Sequence, residues 1–265
     1  MNNVIVITGA SSGIGYALAK FFTEKGNTVI GISRNYPKEE YSFDYYLCDL
    51  SNPKEINKTT ILIKEKYKKI NVLINSAGIG ISGALELTPL EEIKEIFQVN
   101  LFGLMQLTKE LIPALRDSVP SKIINIGSVA GELPIPFQTV YTMTKSSTQR
   151  YTEGLRLELK PFKISACTVL PGDTKTGFTN NRIQPKILNQ ELYQSRITNS
   201  IRKMEIDEQK GMSPMSVVRV VNKLVKRRNM PVQVTVGFKY KIFVFLNRIL
   251  PKKVVLYILY QMYGK

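Results

Sequence analysis

The sequence predicts an α/β fold, a single doubly wound parallel sheet with helices on both faces. Strand-length apolar runs alternate with helical patterns along the chain, which is typical of βαβ units. Several of these runs are apolar almost throughout, as expected for strands that helices cover on both faces. The 265 residues, 43% of them hydrophobic, are enough for one sizeable core.

Seven strands follow from these patterns, with helical stretches between them. In order, the predicted strands are Val4–Thr8, Thr28–Ser33, Tyr45–Cys48, Val72–Asn75, Lys122–Ser128, Ile164–Leu170 and Val232–Val236. The first helix is predicted over Ile14–Lys25. The run Thr88-Pro89-Leu90-Glu91 predicts a capping box with Thr88 at the N-cap, and Ser213-Pro214 opens a later helix in the same way.

Two segments that follow the sixth predicted strand are treated separately from the sheet: a long irregular stretch and the C-terminal end. The stretch from about 176 to 211 has no strand pattern and irregular polarity. A long excursion after the carboxyl end of a strand is where a substrate lid lies in this kind of fold. We therefore expect residues 1–237 to form one domain that includes this lid, and residues 238–265 to form a C-terminal extension.

The composition excludes several kinds of chemistry. The chain has no histidine, which excludes a Ser-His-Asp hydrolase and any site with histidine metal ligands. Its two cysteines, Cys48 and Cys167, lie in separate apolar runs, so neither a disulfide framework nor a metal site is expected. Since a strand begins at Asn3-Val4 with no signal-peptide pattern before it, we expect a cytoplasmic protein.

A glycine-rich turn joins the first strand to the first helix. It reads Thr8-Gly9-Ala10-Ser11-Ser12-Gly13-Ile14-Gly15. Glycines at these places allow a sharp turn, a close approach of the backbone to a pyrophosphate and tight packing of the helix on the strand. The helix N-terminus then offers free N–H groups to the phosphates. The turn therefore predicts a dinucleotide site.

The spacing Thr-Gly-x-x-x-Gly-Ile-Gly resembles the short-chain dehydrogenase/reductase family, and the resemblance extends over roughly residues 3–237. It implies a Rossmann fold that binds a nicotinamide cofactor and catalyses hydride transfer between a carbonyl and an alcohol. The cofactor contacts that it implies in this turn are Gly9, Ser11, Ser12, Gly13, Ile14 and Gly15.

The end of the second predicted strand favours NADP(H) over NAD(H). A fold specific for NAD usually has an acidic residue there, which binds the ribose 2′-hydroxyl. In this chain Ser33 occupies that position and Arg34 follows. A carboxylate repels a 2′-phosphate, whereas a guanidinium binds it through charge-assisted hydrogen bonds. The hydroxyls of Ser11 and Ser12 add contacts in family members with a similar pair.

Three later segments resemble the family's other cofactor contacts. Cys48-Asp49-Leu50 resembles the segment beside the adenine, where Asp49 accepts from the amino group. Asn75-Ser76-Ala77-Gly78 departs from the family's Asn-Asn-Ala-Gly at Ser76 alone. Pro171-Gly172-Asp173-Thr174-Lys175-Thr176 resembles the loop that contacts the nicotinamide carboxamide, with Thr174 in place of the usual valine. The implied contacts are Asp49, Leu50, Asn75, Ala77, Gly78, Pro171, Gly172, Thr174 and Thr176.

Tyr141-Thr142-Met143-Thr144-Lys145 matches the family's Tyr-x-x-x-Lys. Residues four apart share a helix face, and a nearby cation lowers the pKa of a tyrosine. Tyr141 can then exchange a proton with a substrate oxygen near neutral pH. The resemblance implies that Lys145 also binds the nicotinamide ribose hydroxyls.

Two further residues complete the implied catalytic set. Ser128 ends a predicted strand 13 residues before Tyr141, at the sheet edge where α/β folds bind ligands. Its hydroxyl is expected to bind the substrate oxygen and stabilise developing charge. Asn100 matches the family residue that fixes a proton-relaying water near the lysine. An asparagine within a helix is otherwise unfavourable, which agrees with a special role.

The formal charge of +16 is concentrated at the C-terminal end. The 57 residues after Glu208 carry twelve lysines and arginines and no acidic residue. The apolar runs of residues 238–265 are too short and interrupted to span a bilayer, which takes about 20 apolar residues. Two interpretations stay open: peripheral contact with an anionic membrane, or a cover over the substrate site or a subunit interface. Nucleic acid is not expected as a partner.

The predicted function is that of an NADP-dependent enzyme acting on CH–OH groups of a lipophilic, steroid-, retinoid- or fatty-aldehyde-like substrate. The resemblance implies a homodimer or homotetramer. A 3-oxoacyl thioester reductase is the alternative reaction, and the basic surface suits an acidic acyl carrier protein. An alternative of another class is a cofactor-bound, membrane-associated scaffold or sensor without turnover.

Overall fold

In the computed structural model, a seven-stranded parallel sheet lies between two layers of helices. Residues 2–178, 182–183 and 193–265 are described. The strands are β1 (Val4–Thr8), β2 (Thr28–Ser33), β3 (Asp44–Leu47), β4 (Val72–Asn75), β5 (Ser121–Ile126), β6 (Ile164–Pro171) and β7 (Gln233–Val236). Their order in the sheet is β3-β2-β1-β4-β5-β6-β7, and every pair is parallel.

Among the described residues, helices lie between successive strands except between β2 and β3, and the last two helices follow β7. The helices are α1 (Gly13–Glu24), α2 (Pro53–Lys66), α3 (Leu90–Phe97), α4 (Leu104–Arg116), α5 (Thr139–Leu159), α6 (Gln194–Gln209), α7 (Pro214–Lys226), α8 (Phe238–Ile249) and α9 (Lys252–Tyr263). The predicted lid over about 176–211 includes α6, and its residues 179–181 and 184–192 lie outside the described residues.

The core consists of two apolar layers, one on each face of the sheet. Successive residues of β1 alternate between them: Ile5 and Ile7 belong to the layer beneath α1 and α7, and Val6 to the layer beneath α2, α4 and α5. All three side chains are fully buried. Strands covered on both faces need apolar residues at every position, which explains their continuous apolar runs.

The topology places a ligand crevice at one edge of the sheet. The chain leaves β1 for β2 on one side and returns to β4 on the other side of β1. At such a switch point, loops leave the carboxyl ends of neighbouring strands in opposite directions and open a crevice between them. The glycine-rich turn lies at this point, because it directly follows β1.

The predicted helix starts had mixed outcomes. The Ser213 cap is confirmed, since Ser213 Oγ accepts from Met215 N at 3.3 Å. The capping box at Thr88 is wrong: α3 begins at Leu90 with Pro89 as its N-cap. Thr88 Oγ1 instead donates to the carbonyl oxygen of Ala84 at 2.8 Å. Ala84 is the N-cap of the preceding 3₁₀ turn, Leu85–Leu87, so the Thr88 hydroxyl bonds to that turn and does not cap α3.

The two C-terminal helices pack beside the strand ends. Val244 of α8 is buried with Val129 and Leu170, close to the end of β5 and within β6. Val255 and Leu259 of α9 are buried against Leu133. No helix of the described residues is both long and apolar enough to cross a membrane.

Candidate active site

A cleft of about 840 Å³ runs along the carboxyl edge of the sheet. Segments that follow six of the strands, β1 to β6, line it. It contains almost all of the site residues that the sequence predicts. The predicted residues that line it are Gly9, Ser11, Ser12, Gly13, Ile14, Gly15, Arg34, Asp49, Leu50, Ala77, Gly78, Ser128, Tyr141, Lys145, Pro171, Gly172, Thr174 and Thr176.

The glycine-rich turn has a shape that side chains would prevent. A Cβ on Gly15 would lie 2.2 Å from the carbonyl oxygen of Gly9, and one on Gly9 would lie 2.9 Å from the backbone of Ala77. Gly9 and Gly13 also have positive φ angles of 71° and 56°. The Ser12 side chain at the N-cap of α1 makes no cap hydrogen bond, and the first residues of this helix line the cleft, where their N–H groups are suited to bind an anion.

The end of β2 is basic, with no carboxylate at the strand terminus. Ser33 is buried, and its Oγ accepts from the backbone N–H of Ser11 at 3.2 Å. Arg34 is exposed and lines the cleft. Lys38 lines the same end, and Glu39 is the acidic residue beside it. The side chain that follows β2 therefore offers a guanidinium to a ligand.

A network of buried polar side chains stabilises the end of β4 and the segment that follows it. Thr8 Oγ1 accepts from the N–H groups of Ser76 and Ala77, both at 3.0 Å. Asn75 Nδ2 donates to Asn125 Oδ1 at 2.8 Å and to Thr108 Oγ1 at 3.0 Å. The predicted cofactor contact through Asn75 stays a prediction: its side chain is buried, and those hydrogen bonds fix the strand end beneath the cleft.

Three predicted catalytic residues meet on one wall of the cleft. Ser128 follows β5, and its Oγ accepts from Ala130 N at 3.1 Å. Tyr141 and Lys145 lie one turn apart on α5. Lys145 Nζ lies 5.7 Å from the centroid of the Tyr141 ring and donates to the carbonyl oxygen of Ile126 at 3.2 Å. The Ser128 side chain is near enough to the Tyr141 phenol to lower its pKa.

Asn100 lies in a π-helical turn, Gln98–Gly103, between α3 and α4. Its Oδ1 accepts from Ile79 N at 2.8 Å, while its Nδ2 donates to Ile79 O at 2.9 Å and to Thr144 Oγ1 at 3.2 Å. A Cβ on Gly78 would lie 3.3 Å from Asn100 Oδ1 and 3.4 Å from Lys145 Nζ. The amide thus ties the segment after β4 to α5 beside the lysine. Such π turns often mark functional sites.

Burial sets the protonation of the tyrosine and the lysine. Burial raises the pKa of Tyr141 to about 12, although the Ser128 side chain acts to lower that pKa. Burial lowers the pKa of Lys145 to about 8. The sequence predicts that a nearby cation lowers the pKa of Tyr141. This prediction is wrong for the net shift, because the pKa of Tyr141 is raised. Removal of the hydroxyl from water outweighs the opposing contributions, because a buried phenolate loses its solvation.

Three comparisons relate the chain to known proteins. The family model described as short chain dehydrogenase matches residues 3–186. The chain is 37% identical over 235 residues to a 3-ketodihydrosphingosine reductase of Bacteroides thetaiotaomicron, with 88% of this chain and 87% of the relative covered. It is 30% identical over 251 residues to a probable short-chain type dehydrogenase/reductase of Helicobacter pylori, with 93% and 92% covered.

The chain belongs to the short-chain dehydrogenase family. A short-chain dehydrogenase from Streptomyces avermitilis has the same fold, with a TM-score of 0.80, 26% identity and 92% of each chain covered. The predicted fold class and family are therefore confirmed, and the chain is an oxidoreductase of this family.

For a short-chain dehydrogenase, the loop after β6 is of interest because the C-terminal helices brace it. Thr174 Oγ1 donates to Gly172 O at 2.8 Å, and Tyr240 of α8 donates to Asp173 Oδ2. A Cβ on Gly172 would lie 2.1 Å from the Tyr240 ring. The extension therefore packs directly on the segment predicted to contact the nicotinamide.

Sequence reasoning missed several residues of this short-chain dehydrogenase cleft. Phe178 packs on Tyr141 with ring centroids 5.7 Å apart, and Glu208 of α6 lines the cleft although it lies 67 positions from Tyr141. Both fall in the predicted lid, where the pattern indicated no specific chemistry. Other lining residues that were missed include Tyr36, Lys38, Ser76, Ile79, Ile135, Gln138 and Asp173.

Proposed function

We propose that this short-chain dehydrogenase is an NADP(H)-dependent reductase that converts the carbonyl group of a lipophilic substrate to an alcohol. The observation that carries the proposal is the convergence of Ser128, Tyr141 and Lys145 on one wall of a cleft whose other end holds the glycine-rich turn and Arg34. One end supplies proton-transfer groups, and the other supplies backbone N–H groups and a cation.

The cleft fits a phosphate-bearing dinucleotide. The Ser12 side chain makes no cap hydrogen bond at the N-terminus of α1, and a side chain at Gly9 or Gly15 would collide with the backbone. Both features suit a pyrophosphate that approaches the turn closely. We propose that Arg34, which lines the cleft, binds a ribose 2′-phosphate; Ser33 leaves no carboxylate at the strand end to repel it. The reduced cofactor supplies the hydride when bound.

The protein groups handle the substrate oxygen and its proton. The Ser128 hydroxyl hydrogen-bonds to the carbonyl oxygen and orients it, while Tyr141 donates its phenolic proton to that oxygen as the carbon is reduced. With a pKa raised to about 12, Tyr141 holds this proton at neutral pH. Lys145 then returns a proton toward Tyr141, and Asn100 maintains the backbone geometry beside the lysine.

The substrate end of the cleft supports a lipophilic carbonyl compound. Ile79, Ile135 and Phe178 line it around Tyr141. The Bacteroides relative is a 3-ketodihydrosphingosine reductase, and we propose a long-chain ketone as substrate on that basis. A 3-oxoacyl thioester reductase stays as the second candidate, favoured by the net charge of +16, which would attract an acidic carrier protein.

The cofactor proposal is tested by titrating the purified protein with NADPH and NADH and following fluorescence. We expect Arg34→Ala to weaken NADPH binding by about 10- to 100-fold, as for the loss of a charged hydrogen bond, and to leave NADH binding unchanged. Arg150→Ala, which removes an exposed arginine from α5, is the matched control. Equal NADPH and NADH affinities in the unaltered protein would contradict the proposed preference.

The catalytic proposal is tested with Tyr141→Phe. Because this change removes the proton donor and keeps the ring that packs on Phe178, we expect turnover to fall by about 100-fold or more while NADPH binding persists. Steady-state kinetics with long-chain ketones measures the loss. Tyr151→Phe, another largely buried tyrosine of α5, is the control. Full turnover in Tyr141→Phe would refute this mechanism, and an absence of turnover in the unaltered protein would favour the scaffold alternative.

We also infer a cytoplasmic location, a homodimer or homotetramer, and contact between residues 238–265 and anionic membranes. The family relationship supports the oligomer, and light scattering after size-exclusion chromatography measures it. The membrane contact is supported by the outer faces of α8 and α9, which expose large apolar side chains beside six basic residues. We propose residues 1–237 as the catalytic domain, with the substrate lid within it.

A further inference from the structure

The first turn of α8 packs on the β6 loop, residues 172–176, through one side chain. The hydroxyl of Tyr240 donates to Asp173 Oδ2, and the Tyr240 ring contacts Gly172. Gly172, Asp173, Thr174 and Thr176 of the loop line the cleft. Tyr240 is not among the described residues that line it, so its effect on a ligand there passes through the loop.

Two glycines make room for the Tyr240 ring. A Cβ on Gly172 would lie 2.1 Å from this ring, which leaves no space for a side chain. A Cβ on Gly237, the N-cap of α8, would lie 2.9 Å from the ring, and Gly237 has a positive φ of 92°. The backbone segments that follow β6 and β7 therefore both pack closely on this one ring.

The segment before α7 fixes the backbone of the β6 loop. Met212 N donates to Asp173 O at 2.9 Å, and Lys175 N donates to Met212 O at 2.8 Å. A Cβ on Gly211 would lie 2.6 Å from the carbonyl group of Asp173. These contacts hold the main chain, whereas the hydrogen bond from Tyr240 holds the Asp173 side chain.

Charged groups of both signs surround the Asp173 carboxylate. The side chains whose charges interact with it are Lys203, Asp207 and Glu208 of α6 and Lys239 of α8. The two acids of α6 each form an ion pair, Asp207 with Lys203 and Glu208 with Arg182. Burial raises the pKa of Asp173, and the hydrogen bond from Tyr240 lowers that pKa. The phenol therefore stabilises the carboxylate by direct contact.

We propose that Tyr240 is a positioning residue for the nicotinamide end of the cofactor. This inference rests on the proposed function, in which the β6 loop contacts the nicotinamide carboxamide. Tyr240 contacts Gly172 and bonds to Asp173, and so holds the loop in one conformation before the cofactor binds. A loop that is ordered in advance loses less conformational entropy on binding and aligns the bound group for reaction.

The test compares the binding of NADPH with that of 2′-phospho-ADP-ribose, which is the same nucleotide without the nicotinamide ring. Calorimetry measures both affinities, and their ratio gives the contribution of the nicotinamide. Tyr240→Phe removes the hydroxyl and keeps the ring on Gly172. We expect this change to lower the ratio by about 10-fold, as for the loss of one hydrogen bond to a charged group, and to leave 2′-phospho-ADP-ribose binding unchanged.

Two control variants calibrate this ratio. Tyr263→Phe removes a hydroxyl of α9 that donates to Asp207 Oδ2 at 3.2 Å, so it loses the same kind of bond within the C-terminal extension and should leave the ratio unchanged. Arg34→Ala should weaken the binding of both nucleotides alike, because both carry the 2′-phosphate.

A double-mutant cycle shows whether Tyr240 acts through Asp173. We expect Asp173→Ala to lower the ratio as Tyr240→Phe does, and the double variant to lower it no further, because both changes remove the same bond. Asp173→Asn keeps an acceptor for the hydroxyl and should retain the ratio. If Tyr240→Phe fails to fold, the alanine and asparagine variants of Asp173 make the same comparison.

An unchanged ratio in Tyr240→Phe, or equal losses of affinity for both nucleotides, would overturn the positioning role, since a change that only loosens the fold affects both ligands alike. In ketone reduction, we expect Tyr240→Phe to lower kcat by about 10-fold or more and to change the KM of the ketone little, because a misaligned nicotinamide reacts slowly.

Ketone reduction by the unaltered protein separates this inference from the proposed function. A lower affinity ratio in Tyr240→Phe, without ketone reduction by the unaltered protein, would sustain the positioning role and refute the proposed reaction. Ketone reduction by the unaltered protein, with an unchanged ratio in the variant, would refute the positioning role and sustain the reaction.

Discussion

Tyr141 and Lys145 are both buried, and burial shifts their pKa values in opposite directions. Exclusion of water disfavours the charged form of each group, so the pKa of the phenol rises to about 12 and that of the ammonium falls to about 8. At neutral pH the tyrosine is therefore protonated and ready to donate. The lysine, in contrast, exchanges its proton within the physiological range, which suits a relay that restores the proton of Tyr141.

This difference predicts the pH dependence of carbonyl reduction. Lys145 is protonated below its pKa of about 8, so kcat/KM should fall as the pH rises through about 8, while Tyr141 stays protonated until far higher pH. Lys145→Arg carries a charge that does not titrate in this range, and its residual activity should lack this decline. The same decline in the arginine variant would show that another group titrates.

Local spacing accounts for what could be predicted at this scale. Tyr141 and Lys145 share a helix face because they are four residues apart, and Ser128 follows a strand whose end faces the ligand crevice. The direction of the Tyr141 pKa shift could not be predicted in the same way. It depends on burial beneath Phe178 and on charges from Glu208 and Arg182, which the folded chain brings from distant positions.

At the scale of elements, strands were predicted more accurately than helix starts. β1, β2 and β4 have the predicted bounds, because continuous apolar runs mark strands that are buried on both faces. β5 ends at Ile126, two residues before the predicted end, which frees Ser128 to cap the following 3₁₀ turn. The start of α3 was wrong because an N-cap hydroxyl has other acceptors within reach, and Thr88 bonds to Ala84.

The π-helical turn around Asn100 is an element that the sequence did not predict. Helical periodicity continues from α3 through Gln98–Gly103 into α4, and nothing local indicates the change of hydrogen bonding. The turn is stabilised from outside, since the Asn100 amide bonds to the backbone of Ile79 and to Thr144. The mid-helix asparagine was the available signal, and it indicated the position without the geometry.

At the scale of the whole molecule, the charge and apolar surface of the C-terminal helices decide which partner suits them. Phe238 is 80% exposed, Tyr257 64%, and Phe245 and Ile249 60% each. Residues 238–265 add six basic residues and no acidic one. A second copy of the same face would repel this one electrostatically, whereas an anionic bilayer would attract the basic residues and accept the apolar side chains.

The membrane proposal predicts co-sedimentation with vesicles that contain phosphatidylglycerol, weaker binding to phosphatidylcholine alone, and loss of binding at high salt. Phe245→Ser with Ile249→Ser should reduce this binding, because both side chains point away from the protein. Leu157→Ser, at a similarly exposed apolar position on α5, is the control. Equal binding by all three proteins would rule out α8 as the contact surface.

The sequence by itself determined the features that depend on neighbouring residues. These are the alternation of strands and helices, the glycine-rich turn, the Tyr-x-x-x-Lys pair, the arginine after β2 and the exclusion of histidine chemistry. Only the tertiary structure decided what depends on contacts between distant segments: the burial of Tyr141, the pairing of Arg182 with Glu208, and the packing of Tyr240 on Gly172. Local patterns restrict the backbone and its faces, whereas solvation and charge at a site depend on every segment that folds around it.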